Sequence, residues 1–211
     1  MVESMNRHAY LIACHNNYYI LRKLLLTLDD ERNDIYIHVD KRWKEFNKRE
    51  LVDSIKKANI VFVKRRRVNW GGYSQIKTTM QLLSEAVKTE HSYYHFISGV
   101  DMPLKTQDDI HEFFKRNYPK EFVGFDRDSN VNEANFRRIK YYYPFQELIG
   151  RSDSGVYKYI RIMQNLLLAA QEKLKVNRLG ALEGKIYKGP NWFSITHELA
   201  KYIAANQYAL S

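Results

Sequence analysis

The chain has 211 residues, 34 Lys and Arg against 24 Asp and Glu, a net charge of +10, and 45% hydrophobic residues. That is enough apolar material to bury a core, and with 9 Gly and 4 Pro the chain is neither collagen-like nor of low complexity. A single cysteine, Cys14, excludes an intrachain disulfide or a four-cysteine zinc site, and no apolar run near the N-terminus reaches the roughly 20 residues of a membrane span or forms a signal-peptide core.

The elements alternate along the chain. His8 to Ala13 is a short apolar run with a β-branched centre and predicts a strand. Tyr18 to Leu28 sets Tyr19, Leu21, Leu24, Leu25 and Leu28 on one helical stripe. Asp34 to Val39 alternates every second residue and predicts a strand. Lys44 to Ala58 predicts a polar helix and Ile60 to Val63 a strand. Tyr73 to Val87 carries Ile76, Met80, Leu83 and Val87 at helical spacing. Tyr93 to Ile97 is a strand, Asp108 to Arg116 a helix capped by Thr106, and Glu121 to Phe125 a short strand. Asp126 to Ser154 is polar, charged and aromatic and reads as an irregular substrate-binding excursion. Val156 to Leu174 returns to helix, Trp192 to Ile195 to strand, and His197 to Ala205 to helix. This order predicts an α/β fold, a mostly parallel Rossmann-like sheet with helices on both faces. One domain, 1–211, is expected, with a nucleotide-binding half at about 6–125 and an acceptor side at about 126–211.

Ligands of such sheets sit beyond the carboxyl ends of the strands. The residues there are His15 after the first strand, Asp40 and Lys41 after the second, and the Lys64–Arg67 run and Trp70-Gly71-Gly72 after the third. Ser98, Gly99, Asp101 and Pro103 follow the fourth. Each has an ordinary structural reading, but together they suit a nucleotide: an acid for the ribose or base, cations for the diphosphate, glycines for close approach. No GxGxxG, no Walker A sequence and no G-x-S-x-G elbow occurs, which leaves the nucleotide-sugar transferases. The positive charge suits a phosphorylated ligand, an anionic membrane surface or nucleic acid. No nucleic-acid motif accompanies it, so no nucleic-acid partner is expected.

Five blocks in order, HAYLIACH at 8–15, IYIHVDK at 35–41, VNWGGYS at 68–74, YYHFISGVDMPLKT at 93–106 and KGPNWFSIT at 188–196, resemble the core-2/I-branching β-1,6-N-acetylglucosaminyltransferases and their bacterial relatives. The resemblance implies a GT-A-like fold and an inverting, metal-independent glycosyltransferase. It would move a sugar, N-acetylglucosamine in the family, from a UDP-sugar to a glycan or lipid-linked glycan. UDP-sugar is then a substrate and no cofactor is expected. By this match His15 and Asp40 line the uridine pocket, with Lys41 and Arg66 beside them. Trp70, Gly71 and Ser74 border the donor, and Ser98, Gly99 and Asp101 lie under its sugar. Pro103 belongs to the same donor-sugar loop, and Trp192 and Phe193 border the acceptor pocket; Asp126 and Arg138 are added as substrate-binding candidates from 126–140, where the family's acceptor residues are not recognisable. Asp40→Asn is expected to weaken UDP binding and leave stability nearly unchanged.

Family chains continue beyond the W-F-x-I-T block with a glutamate base and cations for the diphosphate. The base is therefore expected past Ser211, with Asp101, Asp126, Asp128, Glu133 and Glu147 as the carboxylates left to stand in, Asp101 and Asp126 first among them. The alternative is a non-catalytic nucleotide- or glycan-binding fragment. Asp126-Arg127-Asp128 is the one Asp-x-Asp string and follows the fifth strand instead of the donor loop. Surface-polysaccharide synthesis in the cytoplasm is expected, with peripheral contact at the inner membrane face through Lys64, Arg65 and their neighbours.

Overall fold

A computed structural model describes residues 7–125, 133–150, 155–180 and 187–206, and the expected site residue Asp126, with Asp128, lies outside these. The strands are β1 (His8–Cys14), β2 (Asn33–Val39), β3 (Asn59–Phe62), β4 (Tyr93–Ser98), β5 (Phe122–Val123) and β6 (Phe193–Thr196), in the spatial order β3-β2-β1-β4-β6-β5. The β1–β2, β2–β3 and β1–β4 pairs are parallel, while β6 runs antiparallel to both β4 and β5. The sheet is thus mostly parallel, with an antiparallel margin. The helices are α1 (Tyr18–Thr27), α2 (Lys48–Asp53), α3 (Tyr73–Ala86), α4 (Gln107–Asn117), α5 (Glu133–Lys140), α6 (Gln146–Ile149), α7 (Val156–Lys173) and α8 (His197–Ala205).

The chain divides into two compact units. Met1–Val68, Ile76–Val123 and Asn191–Ser211 form the first, and Asn69–Gln75 with Gly124–Pro190 the second. The first holds the sheet. Alternate residues of β1 feed its two faces. Tyr10, Ile12 and Cys14 pack with Leu21, Leu24, Leu25 and Leu28 of α1 and its C-cap and with Leu51 of α2. Ala9 and Leu11 pack with Leu82, Leu83 and Ala86 of α3 and Ala200 of α8. The near-continuous apolar strands are the consequence of this double cover.

Capping decides where the helices begin. The Thr106 hydroxyl accepts from the Asp109 amide at 3.2 Å, acids fill the first turn of α4, and Lys115 and Arg116 fill its last. Thr196 accepts from the Leu199 amide at 3.5 Å and starts α8. The polar helix expected over 44–58 is only six residues long. Asn47 caps it by accepting from the Glu50 amide at 3.2 Å. Beyond it, the Asp29 carboxylate accepts the amides of Lys56, Lys57 and Ala58 at 2.9, 2.7 and 2.8 Å, which holds them out of the helix.

The second unit corrects the irregular excursion expected over 126–154: α5 and α6 lie within it. The segment E-A-N-F-R-R-I-K tolerates helix well, and Arg137, Arg138 and Lys140 in its last turn favour it. Arg137 also pairs with Glu172 of α7 at 2.6 Å. Glutamines of α7 clamp the backbone before α6. Gln164 accepts from the Phe145 amide at 3.2 Å, and Gln171 both accepts from the Tyr142 amide at 2.9 Å and donates to its carbonyl at 3.0 Å.

Imidazoles sit inside the sheet. A 3.1 Å contact joins His95 Nε2 to His8 Nδ1, and a 2.8 Å contact joins His95 Nδ1 to the Ser194 hydroxyl. Burial lowers the pKa of His8 and brings that of His95 down to about 3. Burial, then the charge of Arg66, brings His38 down to about 4. Unfolded imidazoles titrate near pH 6.5. Between that value and about pH 4 the unfolded chain therefore binds more protons than the fold. Stability is full above about pH 6.5 and falls as pH drops, by about 1.4 kcal/mol per pH unit for each such imidazole. A melting temperature that declines steadily from pH 7 to pH 5 is the expected result. An unchanged melting temperature over that range would show that these groups are protonated in the fold.

Candidate functional site

The strand order reverses direction at β1, which has β2 on one side and β4 on the other. Such a switch point opens a crevice at the carboxyl ends. The chain leaves the sheet there at Cys14–His15, Asp40–Lys41 and Ser98–Gly99. The Asp40 amide donates to the Cys14 carbonyl at 2.8 Å and the Gly99 amide to the Ala13 carbonyl at 3.0 Å, so the rim is tied to the end of β1 from both sides. A Cβ on Gly99 would stand 2.4 Å from the Cβ of Cys14. Only glycine lets the two strand ends approach this closely. His15 is exposed at this rim.

Asp40 is 3% exposed, and its carboxylate is engaged within the fold. Oδ1 accepts from the Arg42 amide at 2.8 Å and Nε at 3.0 Å. Oδ2 accepts from Arg42 Nη2 at 2.7 Å and from the Val68 amide at 3.0 Å. Burial opposes its ionisation, but the Arg42 side chain and these amides outweigh that and hold its pKa below the usual carboxylate value. Arg42 also donates to the Val68 carbonyl. Asp40 is thus the knot that ties the end of β2 to the segment after β3, and the cation it carries, Arg42, is half-exposed at the rim. Lys41 is exposed beside it, and its amide donates to the Arg66 carbonyl at 2.9 Å.

The basic run is also largely spent on structure. Arg65 donates to the carbonyls of Asp40 and Trp43. The Arg66 guanidinium grips Gln81 at 2.9 Å, and its amide donates to His38 Nε2 at 3.1 Å. Lys64 and Arg67 remain exposed. Within the patch expected around Lys64 and Arg65, the Arg65 guanidinium keeps its charge but is oriented toward backbone carbonyls of the fold.

Beyond β4, Asp101 closes a turn. Its Oδ2 accepts from the Ser98 amide at 2.7 Å and from the indole Nε1 of Trp192 at 2.8 Å. The carboxylate thereby orients Trp192, which is 54% exposed, and that commits it to positioning. Pro103 follows in the same half-exposed loop. Phe193, expected at the acceptor, is a sheet residue instead. It stacks on its cross-strand partner Phe96 at 5.6 Å and packs on the core, because strand alternation turns it away from the side of its neighbour.

Trp70, Gly71 and Ser74 belong to the second unit. Gly71, at φ +71°, donates to Gln75 Oε1 at 2.6 Å, and Ser74 Oγ accepts from the Asn69 amide at 2.8 Å. The Glu147 carboxylate accepts from the Ser74 amide at 3.1 Å, and a Cβ on Gly72 would come within 2.3 Å of it. Arg138 is exposed on α5. Sequence reasoning overlooked Arg42, and it named Glu147 only as a carboxylate left to stand in as base, without its seat against the Ser74 amide. The Asp-x-Arg spacing at a strand end was the signal for the first. Nothing local marks the second, whose partners lie 73 residues away.

A cavity of about 240 Å³ opens at the opposite, amino-terminal end of the parallel strands, among His8, His91, Tyr93, His111, Phe114 and His197. It is therefore distinct from the carboxyl rim.

Two outcomes follow from this geometry. Asp40→Asn loses the charge that balances buried donors and lowers stability by about 1–3 kcal/mol, contrary to the expectation of a purely binding role. Chemical denaturation measures this, and a variant of native stability would return Asp40 to the ligand. Gly99→Ala forces its methyl against Cys14 and costs about 1–3 kcal/mol by overpacking, read as a lower melting temperature.

Comparison with known proteins gives this rim a context. The family model described as Core-2/I-Branching enzyme matches residues 8–211. Xylosyltransferase 2 of Canis lupus familiaris is 30% identical over 142 residues, 63% of this chain and 16% of that protein. The Homo sapiens protein of the same name is 28% identical with the same coverage, and xylosyltransferase oxt of Drosophila pseudoobscura pseudoobscura is 29% identical over 107 residues, 49% of this chain and 12% of that protein. The chain thus spans about a sixth of the length of the first of these relatives. Among solved structures, 4-diphosphocytidyl-2C-methyl-D-erythritolsynthase of Anaerococcus prevotii aligns with a TM-score of 0.42 at 9% identity over 100% of this chain and 79% of that one. Mouse xyloside xylosyltransferase 1 aligns at 0.37 and 8% identity over 96% and 73%. The five sequence blocks and a family match running from the first residue of β1 to Ser211 agree: the chain belongs to the Core-2/I-Branching enzyme family.

Proposed function

We propose that this chain is a GT-A-like, inverting glycosyltransferase that takes a UDP-sugar at the carboxyl rim of β1, β2 and β4. The acceptor is a glycan hydroxyl, lipid-linked glycans included, in surface-polysaccharide synthesis. The observation that carries the reading is the rim itself. Two strand ends closed around Gly99, a half-exposed Arg42 held by a buried carboxylate, and an indole held edge-on by Asp101 stand together at a switch point.

In the reaction the acceptor hydroxyl gives its proton to a base, its oxygen bonds to the anomeric carbon, and the bond from that carbon to the diphosphate breaks. UDP departs with the electron pair. Displacement from the opposite face inverts the centre. In this reading Lys41, and Arg42 from its pair with Asp40, are the rim cations that would meet the leaving charge. Trp192 offers its exposed face to a sugar ring. Asp101 positions that indole, so this reading assigns proton acceptance to a carboxylate outside the rim. Metal independence is favoured because the one carboxylate of the donor loop has Oδ2 turned to Ser98 and Trp192. The names of the relatives set xylose beside N-acetylglucosamine as the donor sugars to try first. A cytoplasmic setting is favoured by the single, buried and free thiol of Cys14.

Calorimetry with UDP in the presence of EDTA is expected to show binding. Heat only after Mn²⁺ is added would overturn metal independence, and none in either condition would remove the nucleotide reading. A UDP-release assay with UDP-sugars and glycan acceptors then reads transfer. Trp192→Ala is expected to lower kcat/KM for the acceptor by about tenfold or more while the Kd for UDP stays within twofold, on the order of the 1.4 kcal/mol that a lost stacking contact represents.

A further inference from the structure

The helix α7 leaves most of its apolar side chains exposed. Its buried residues are Gln164 and Leu168, and Gln164 is spent on the backbone of the same unit. The other side carries Val156, Tyr159, Ile162, Met163, Leu166 and Leu167, each between 41% and 70% exposed. At 100° per residue these six fall within an arc of about 140°, a continuous stripe along a helix of 18 residues, about 27 Å long. Single exposed apolar residues need no explanation, but a continuous stripe marks a surface that something covers.

The charge around the stripe says what. Lys158 borders one edge of it, Lys173 closes the stripe in the last turn, and Lys175 and Arg178 follow its C-terminal end; all four are exposed. The helix's one acid, Glu172, is paired with Arg137. The second unit as a whole carries 12 Lys and Arg against 7 Asp and Glu. An apolar stripe bordered by long cationic side chains is complementary to a surface with an anionic outer layer and an apolar interior. Among the described residues no helix is long and apolar enough to cross a membrane, so the fit is to a helix lying in the interface. We propose that α7 is an interfacial helix that seats the second unit on an anionic lipid surface. The stripe enters the acyl boundary, and Lys158, Lys173, Lys175 and Arg178 lie among the phosphates. The membrane contact expected at Lys64 and Arg65 moves to this helix. The inference does not depend on the proposed transfer reaction, and its test needs no turnover.

Flotation of the whole chain with phosphatidylcholine vesicles, with and without phosphatidylglycerol, is the experiment. Binding is expected to the anionic vesicles only, and to weaken about tenfold from low to high salt. The pair Ile162→Ser and Leu166→Ser is expected to weaken it about tenfold or more, and Lys158→Gln with Lys173→Gln to cut the salt dependence by about half. Circular dichroism checks that each variant is folded. A gain-of-signal variant, Leu166→Trp, is expected to blue-shift and to be quenched by brominated lipid. No flotation, flotation indifferent to α7, or an unquenched Trp at position 166 would overturn the proposal. So would a dimer in sedimentation that Ile162→Ser and Leu166→Ser dissolve, which would assign the stripe to a second copy of the chain.

Discussion

Strand β1 is the constraint on which the first unit depends. It is paired along both edges, with β2 and β4, and packed on both faces, with α1 and α2 on one and α3 and α8 on the other. A strand so enclosed is almost wholly apolar and has no freedom of register; His8 finds a partner in His95, while the Tyr10 hydroxyl is buried without a hydrogen bond among the described residues. The strand also sets the site, because the two loops that leave on either side of its carboxyl end are held there by backbone hydrogen bonds to Ala13 and Cys14. Gly99 is the steric term in that arrangement. Any side chain at this position would push β4 off β1 and open the rim.

The polar residues around β1 divide into two kinds. Asp40, Arg65, Arg66, His38 and Asp101 have their hydrogen-bonding groups turned to the fold, and each fixes a neighbour in space. Arg42, Lys41, His15 and Trp192 are what those residues leave on display. The transfer reaction proposed for this rim would need cations and a flat apolar face at defined positions more than many contacting groups, since it is placement that makes a charge effective. The inner set supplies that placement. The same division recurs in the second unit, where Gln164 and Gln171 satisfy backbone groups inside while the apolar side of α7 faces out.

The α/β class, the order of the elements and most of their boundaries were legible in the sequence, because hydrophobic period and capping residues are local properties. Thr106, Thr196 and Asn47 each stop or start a helix through atoms three residues away. The five sequence blocks likewise pointed to the strand-end rim and to the family. The shortened α2 was not legible, because what ends it is Asp29, 27 residues earlier. Nor were α5 and α6, whose polar composition matches a loop as well as a helix until Glu172 and the α7 glutamines supply partners.

Local pattern thus determined which residues would be strands, which would be helices, and which would arrive at the carboxyl rim. Only the tertiary structure decided what each rim residue does there. Asp40 reads as a ligand acid in one dimension and becomes a buried anchor once Val68, 28 positions on, donates to it. Phe193 reads as an acceptor residue beside Trp192, and strand alternation turns it onto Phe96, half-buried against the core. Asp101 and Trp192, 91 residues apart, become one feature through a single hydrogen bond. A carboxylate or an indole has the same chemistry wherever it stands in the chain. Its role is set by which donors the fold brings within 3 Å of it, and those are long-range contacts that no window of sequence contains.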